Sequence, residues 1–146
     1  MTKPICIISL MILCLSACAT TSSTATHVER KHYGQWELPL GYTQVVRHGN
    51  TLYLSGIGNT GATLREQLEG IYRTTGKILS DYKATPAEIV KEVIYTTDII
   101  SLEKANAVRT QFYNNGQYPS SSWVQVQRLL GADMQVEVEF IVQLQH

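Results

Sequence analysis

The chain has 146 residues and carries 12 basic and 12 acidic side chains, so its formal net charge at neutral pH is zero. This length fits one domain. A balanced charge without a basic block argues against a nucleic-acid-binding protein, which usually carries a positive patch or stripe. All three cysteines lie at or before position 18, so the rest of the chain has none with which to form an internal disulfide.

The N-terminal residues predict export and a lipid anchor. Lys3 precedes an apolar run over residues 5–15, which is shorter than the roughly 20 apolar residues that a transmembrane helix needs. The run ends at Ser16, Ala17 and Cys18. Small residues before a cysteine resemble a bacterial lipobox, in which Cys18 becomes the lipid-modified first residue. An ordinary signal peptide with a chance cysteine is the alternative.

These features divide the chain into three segments: a signal peptide (1–17), a lipidated cysteine with a flexible polar tether (18–27), and a folded domain (28–146). We expect the protein in the bacterial cell envelope, attached to the lipid bilayer through acylated Cys18. Because Ala19 is not acidic, we place it on the periplasmic face of the outer membrane.

The first predicted elements are a hairpin and a helix. Two β-prone runs, residues 45–47 and 51–55, surround a glycine-containing turn, and residues 56–61 follow as a loop. Thr63 and Glu66 then form a capping box, and apolar residues recur at helical spacing to about Asp81.

The second half of the domain predicts a second helix and three more strands. A one-turn capping box over residues 85–88 leads to a strand over 89–97, and Ser101 caps a helix that ends at Asn114. The closing strands are predicted over residues 122–129 and 135–145.

The last strand has two unlike faces. Its even-numbered residues from Val136 to Leu144 are all apolar and suit the face that the helices cover, whereas Glu137, Glu139 and Ile141 share the other face. That second face is either solvated or a subunit interface with polar pockets.

Residues 56–61 match the pattern G-x-G-x-x-G, but the match does not predict a dinucleotide site. In such a site the acidic residue ends the next strand, whereas Asp81 lies at the end of the helix pattern.

The order of elements and several motifs resemble the RidA/YjgF family of reactive-intermediate deaminases. The motifs are GYTQVVR (41–47), GNTLYLSG (49–56), VK and YTTD (90–91 and 95–98), Asn106 on the intervening helix, and VQV, RL and VEVE (124–126, 128–129 and 136–139). Together they cover about 105 of the 146 residues.

The resemblance implies an α+β, chorismate-mutase-like single domain with a mixed β-sheet covered on one face by two helices. It also implies a homotrimer with pockets between subunits, which would explain the mixed second face of the last strand. Active family members hydrolyse enamine or imine intermediates to 2-keto acids without a cofactor. The ligand is therefore expected to be a small molecule.

The resemblance also assigns site residues. Glu137 corresponds to the carboxylate that positions or activates water. The substrate-binding positions are Tyr42, Ser55, Gly56, Asn106, Ser121 and Trp123. Glu137 as a solvated or interface carboxylate, and Tyr42 as a packed tyrosine with a paired hydroxyl, are the structural alternatives. If Glu137 is buried beside a like charge, its pKa should rise.

Ser121 departs from the family pattern, since active members have at this position an arginine that grips the substrate carboxylate. Serine cannot form that bidentate contact. Removing one partner of a buried charge pair costs about 2–5 kcal/mol, or roughly 30- to several-thousand-fold in affinity. We therefore expect an arginine-less branch with weak or altered imine hydrolysis, and a non-catalytic small-ligand-binding or scaffold protein is the alternative.

Metal and nuclease chemistry find little support in the sequence. The four histidines show no i, i+4 ligand spacing, so no metal site is expected. The absence of a cofactor is what the family resemblance implies. Nuclease activity, a label sometimes attached to the family, is disfavoured by the neutral charge.

Overall fold

The computed structural model describes residues 27–114 and 116–145. The predicted signal peptide, Cys18 and nearly all of the tether lie outside the described residues. Within those two ranges, no helix is both long enough and apolar enough to span a bilayer.

The described residues form one sheet with two helices. The strands are Val28–Lys31 (β1), Val45–His48 (β2), Thr51–Gly58 (β3), Ile89–Thr96 (β4), Ser120–Gln125 (β5) and Val136–Gln143 (β6). The helices are Leu64–Asp81 (α1) and Ile99–Phe112 (α2), with short 3-10 turns at Leu38–Leu40 and Pro86–Glu88.

The sheet has the order β1-β2-β3-β6-β4-β5, and only the β4–β5 pair is parallel among the described strands. Parallel neighbours need a crossover connection, and α2 supplies it. Both helices lie on one face of the sheet, which we call the core face; the opposite face is the outer face. The predicted mixed sheet with two helices on one face is confirmed.

The even-numbered residues of β6 are buried on the core face, whereas Glu137, Glu139 and Ile141 are only partly buried on the outer face. The core face of β6 packs against α1, where the rings of Tyr72 and Phe140 lie 6.2 Å apart. Period-2 alternation therefore predicted both the strand and its orientation.

The start of α1 agrees with the prediction from the sequence except in one hydrogen bond. The Thr63 side chain accepts a hydrogen bond from the Glu66 backbone N–H (3.3 Å), as an N-cap should. The Glu66 carboxylate, however, accepts from the N–H of Ala62 (2.8 Å), one residue before the position that a capping box requires.

The predicted cap of α2 was wrong. The helix begins two residues before Ser101, and Asp98, in extended conformation, is its N-cap. The carboxylate of Asp98 accepts from both the N–H (3.0 Å) and the hydroxyl (2.6 Å) of Ser101. Aspartate accepts through two oxygens, so it satisfies the first turn while Ser101 acts as a donor.

The strands also differ from the prediction in several places. β5 ends at Gln125 because β4, its partner, ends at Thr96. β3 runs on to Gly58, through a register shift against β6 between Leu54 and Ile57, where the sequence predicted a loop. β1 pairs with β2 and was not predicted as a strand.

Candidate functional site

A buried carboxylate organises the loop before β2. Glu37 is fully buried. Its oxygens accept three backbone N–H groups, those of Tyr33 (2.6 Å), Gly34 (2.7 Å) and Gln44 (2.8 Å), and contact His32 Nδ1 at 3.0 Å. Burial alone would raise the pKa of Glu37, but these donors hold it below its ordinary value. The loop is thereby fixed, and Tyr42 with it.

Tyr42 lies against the bulge of β3. Its hydroxyl donates to the Gly56 carbonyl (2.6 Å), and its ring packs on Trp36 with 4.9 Å between centroids. Burial raises the pKa of Tyr42 to about 12; the Ser55 hydroxyl opposes the rise and the charge of Glu137 adds to it. Tyr42 therefore stays protonated at neutral pH, and Ser55 donates to the Thr43 carbonyl (2.7 Å).

Glu137 lies on the outer face beside these residues. Its carboxylate packs on Gly56, where an added Cβ would overlap Glu137 Oε1. It is half-buried, and it receives no hydrogen bond from the part of the chain that the structure describes. Burial and then the nearby Glu139 raise the pKa of Glu137, as expected for a carboxylate near a like charge. We call Tyr42, Ser55, Gly56 and Glu137 the outer-face cluster.

Asn106, Ser121 and Trp123 lie elsewhere, and we call them the α2–β5 cluster. The Ser121 hydroxyl donates to Glu92 (2.8 Å), and Trp123 Nε1 donates to Ser121 Oγ (3.0 Å). The Asn106 amide oxygen is buried and accepts no hydrogen bond within residues 27–114 and 116–145.

The two clusters lie on opposite faces of the sheet. Ser121 pairs in register with Glu92, and Trp123 with Ile94, so both share the core face with those buried β4 residues. Glu137 projects from the outer face of β6. A single chain therefore does not bring the seven predicted site residues together.

Glu92 on β4 and Arg109 on α2 form an almost fully buried ion pair that was not predicted from the sequence. Glu92 stands two residues before Ile94 on the core face, and Arg109 follows Leu102 and Ala105 at helical spacing. A charged residue on each of two apolar faces that pack together was the signal for this pair.

A cavity of about 270 Å³ lies on the outer face and is lined in part by Tyr53, Ser55, Lys91 and Glu139. A larger one of about 860 Å³ lies between residues 59–62 and 127–135 and contains none of the predicted site residues, although Arg128 lines it. We place the site at the two clusters, which hold the predicted site residues, rather than in the larger cavity.

Among the described residues, no group of three or more metal-ligating side chains is assembled.

A protein-family model described as Endoribonuclease L-PSP matches residues 38–144. A RutC family protein from Leuconostoc mesenteroides subsp. cremoris is 30% identical over 109 residues, covering 66% of this chain and 84% of that protein. A RutC family protein from Buchnera aphidicola is 25% identical over 111 residues, covering 69% and 86% respectively.

Solved structures share the fold. A member of the YjgF/YER057c/UK114 family from Mycobacterium tuberculosis has a TM-score of 0.74 at 25% identity, covering 81% of this chain and 100% of that one. A YjgF family protein from Neisseria meningitidis has a TM-score of 0.73 at 20% identity, covering 84% and 98%.

Proposed function

Because this chain belongs to the RidA/YjgF family, also described as Endoribonuclease L-PSP, we propose that it hydrolyses small imines slowly in a pocket between its own copies. The single observation that carries the proposal is Glu137, a half-buried carboxylate with a raised pKa and no hydrogen-bond donor among the described residues. Groups poised in this way are typical of functional sites.

Imine hydrolysis needs a base that positions a water molecule and removes a proton from it. Glu137 accepts a proton from the water that attacks the imine carbon and returns it to the imine nitrogen, so the neutral carbinolamine forms and Glu137 is ionised again. Collapse of the resulting carbinolamine returns the carbonyl and releases ammonia, so one water is consumed for each ketone and ammonia formed. No cofactor enters this balance.

The pocket is proposed to lie between subunits of a homotrimer. The supporting observation is the placement of the outer-face and α2–β5 clusters on opposite faces of one sheet. A pocket that uses both clusters then takes one from each of two neighbouring copies, as a head-to-tail ring allows.

Slow turnover follows from Ser121. Its hydroxyl is already donated to Glu92, and a serine cannot bind a carboxylate bidentately.

A non-catalytic ligand-binding protein is the second candidate. The observation that favours it is that Tyr42 and Ser55 both donate to backbone carbonyls of their own chain. That candidate predicts ligand-dependent shifts in melting temperature without turnover.

The test is a deamination assay of the purified protein with 2-iminopropanoate or 2-iminobutanoate generated in situ. We expect measurable turnover that falls by about 100-fold or more in Glu137→Gln, since loss of a general base typically removes 10²–10⁴-fold. The matched control is Glu69→Gln, an exposed carboxylate on α1, which should leave the rate unchanged.

The dependence of the deamination rate on pH tests the same proposal. Because the pKa of Glu137 is raised and the base must be ionised, the rate should rise with pH through a value above 4.5. Glu139→Gln removes one cause of the rise and should move the acid limb toward lower pH. Wild-type turnover that survives unchanged in Glu137→Gln would contradict the proposed role of this residue.

Attachment to the outer membrane through acylated Cys18 is part of the same proposal, supported by the small residues before Cys18. One acyl chain binds only marginally, so firm attachment needs more than one chain on this cysteine. We expect the wild-type protein in the membrane fraction and Cys18→Ser in the soluble fraction; a Cys18→Ser protein that stays with membranes contradicts the anchor.

The name of the family model refers to an endoribonuclease, but we do not propose that activity. The chain has 12 basic and 12 acidic residues, whereas RNA-binding surfaces are usually strongly positive.

A further inference from the structure

Exposed apolar side chains are concentrated in the segment between β1 and β2. Of the large apolar residues that are exposed in the described part of the chain, four lie within residues 33–40, which we call the apolar loop. They are Tyr33, Trp36, Leu38 and Leu40, with 42%, 52%, 71% and 62% of their surfaces exposed. The one charged residue of the loop, Glu37, is fully buried. Single exposed apolar residues are ordinary, whereas a group of them marks an interaction surface.

The apolar loop is held in one conformation from its inner side. The Glu37 carboxylate accepts three backbone N–H groups, and the Glu37 carbonyl accepts those of Leu40 (3.2 Å) and Tyr42 (2.8 Å). Ordering of loops is one of the costs of association. Because this loop is already ordered, its apolar side chains can bind a surface without that cost.

The apolar loop lies close to the end of the predicted tether. The tether covers residues 18–27, and Tyr33 follows Val28, the first residue of β1, by five positions. Five residues span at most about 18 Å, and ten residues, the length of the tether, span at most about 36 Å. A bilayer that holds acylated Cys18 is therefore within reach of the loop.

The composition of the apolar loop suits a lipid surface. Tryptophan and tyrosine are enriched where a membrane meets water, and leucines add apolar area that the headgroup region can bury. No charged side chain of the loop has to leave water, because Glu37 already lies inside the domain. Such a contact needs neither anionic lipid nor low salt.

We propose that the apolar loop enters the surface of the bilayer to which Cys18 is attached and is a second membrane contact of the protein. The inference rests on the proposed attachment through Cys18 and is independent of imine hydrolysis. A few interfacial side chains bind reversibly, so the loop adds to the anchor and does not replace it. Because Trp36 packs on Tyr42, this contact also brings the outer-face cluster close to the lipid surface.

The two tryptophans of the chain allow a direct test. Trp36 lies in the apolar loop and Trp123 on β5. Trp123→Phe therefore leaves Trp36 as the only tryptophan, and Trp36→Phe, which leaves Trp123, is the matched control. Each acylated protein is reconstituted in vesicles of phosphatidylcholine whose acyl chains carry bromine, which quenches tryptophan fluorescence on contact.

We expect the emission of Trp36 to move to shorter wavelength in the vesicles and to be quenched by the brominated lipid. Bromine near the headgroup should quench more than bromine near the chain end, since interfacial groups enter the bilayer by roughly 5–10 Å. The emission of Trp123 alone should show neither change.

Leu38→Ser/Leu40→Ser, introduced into the protein whose only tryptophan is Trp36, tests the two leucines. Both side chains are largely exposed, so their replacement should leave the fold intact. We expect the ratio of quenched to unquenched protein to fall by about 10- to 100-fold, the effect of removing two leucines from an apolar contact. Ile100→Ser/Leu130→Ser changes two exposed apolar residues outside the loop and should leave the quenching unchanged.

The outcomes separate the loop from the anchor. If the vesicles retain the protein but bromine does not quench Trp36, the inference is wrong, while the attachment through Cys18 stands. If Trp36 is shielded both from bromine and from the water-soluble quencher acrylamide, another copy of the chain covers the loop, and the inference is again wrong. Unchanged quenching in Leu38→Ser/Leu40→Ser also overturns it. A protein that the vesicles do not retain contradicts both the anchor and the loop contact.

Discussion

Glu37 and Glu92 are both fully buried, but they are stabilised by different donors. Glu37 is held by three backbone N–H groups of its own loop, and Glu92 by side chains from α1, α2, β5 and the end of α2. Glu37 therefore sets a local conformation, whereas Glu92 ties together elements that are distant in sequence. Glu37 orders the loop that carries Tyr42 of the outer-face cluster, and Glu92 binds Ser121 of the α2–β5 cluster.

Glu37→Gln should destabilise the protein at pH 7 by about 1.5–3 kcal/mol, the value of hydrogen bonds to a charged group. The folded-state pKa of Glu37 is below 4.5, so its stabilisation is complete above the unfolded pKa and is lost as pH falls through the folded pKa. Urea unfolding at pH 7 and near pH 3 measures this: the difference between variant and wild type should shrink in acid.

The control for Glu37 is Glu69→Gln, whose carboxylate is about half exposed and lies 3.8 Å from Arg65. An exposed pair of this kind contributes about 0–1 kcal/mol. A stability difference for Glu37→Gln that does not change between the two pH values would show that the charge of Glu37 is not what orders the loop.

At the scale of helices and strands, hydrophobic periodicity predicted the elements whose limits are set by their own residues. α1 spans Leu64–Asp81 as predicted, because apolar residues recur along it at helical spacing and Thr63 caps its start. β6 was predicted with its orientation, since alternation is complete along it. β5 was predicted too long because its end depends on β4, and no local pattern carries that dependence.

For the same reason, the sequence predicted some residues of the site and missed others. Tyr42, Ser55, Gly56 and Glu137 do lie together, but their proximity depends on pairing of β3 with β6, which are far apart in sequence. The role of Asp98 as cap was missed because Ser101 had the right residue type in nearly the right place. The Glu92–Arg109 pair was missed although both charges interrupt apolar faces.

At the scale of the whole molecule, the sheet separates the two clusters. The outer face carries Glu137, and also Tyr53, which is 46% exposed, and the partly buried Ile141. Aromatic residues are enriched at subunit interfaces, whereas Glu is depleted there. Tyr53 therefore supports the proposed interface, with Glu137 in a polar pocket beside it. In the proposed trimer, that face meets the α2–β5 cluster of a neighbour.

Mixed oligomers test this arrangement directly. Glu137→Gln disables the outer-face cluster and Asn106→Ala disables the α2–β5 cluster, so each homo-oligomer should be inactive in imine hydrolysis. When the two variants are co-expressed with different tags and purified through both, every remaining trimer is mixed, and about a third of its sites should be restored if neighbouring copies contribute one cluster each. Glu137→Gln mixed with Gly56→Ala is the matched control: the added Cβ would overlap the carboxylate of Glu137, both changes lie in the same cluster, and no activity should return. No recovery in the first mixture, once both tags are present in the oligomer, would mean that each pocket is built within a single chain. Recovery in the control would mean that Gly56 and Glu137 of one chain do not serve the same pocket.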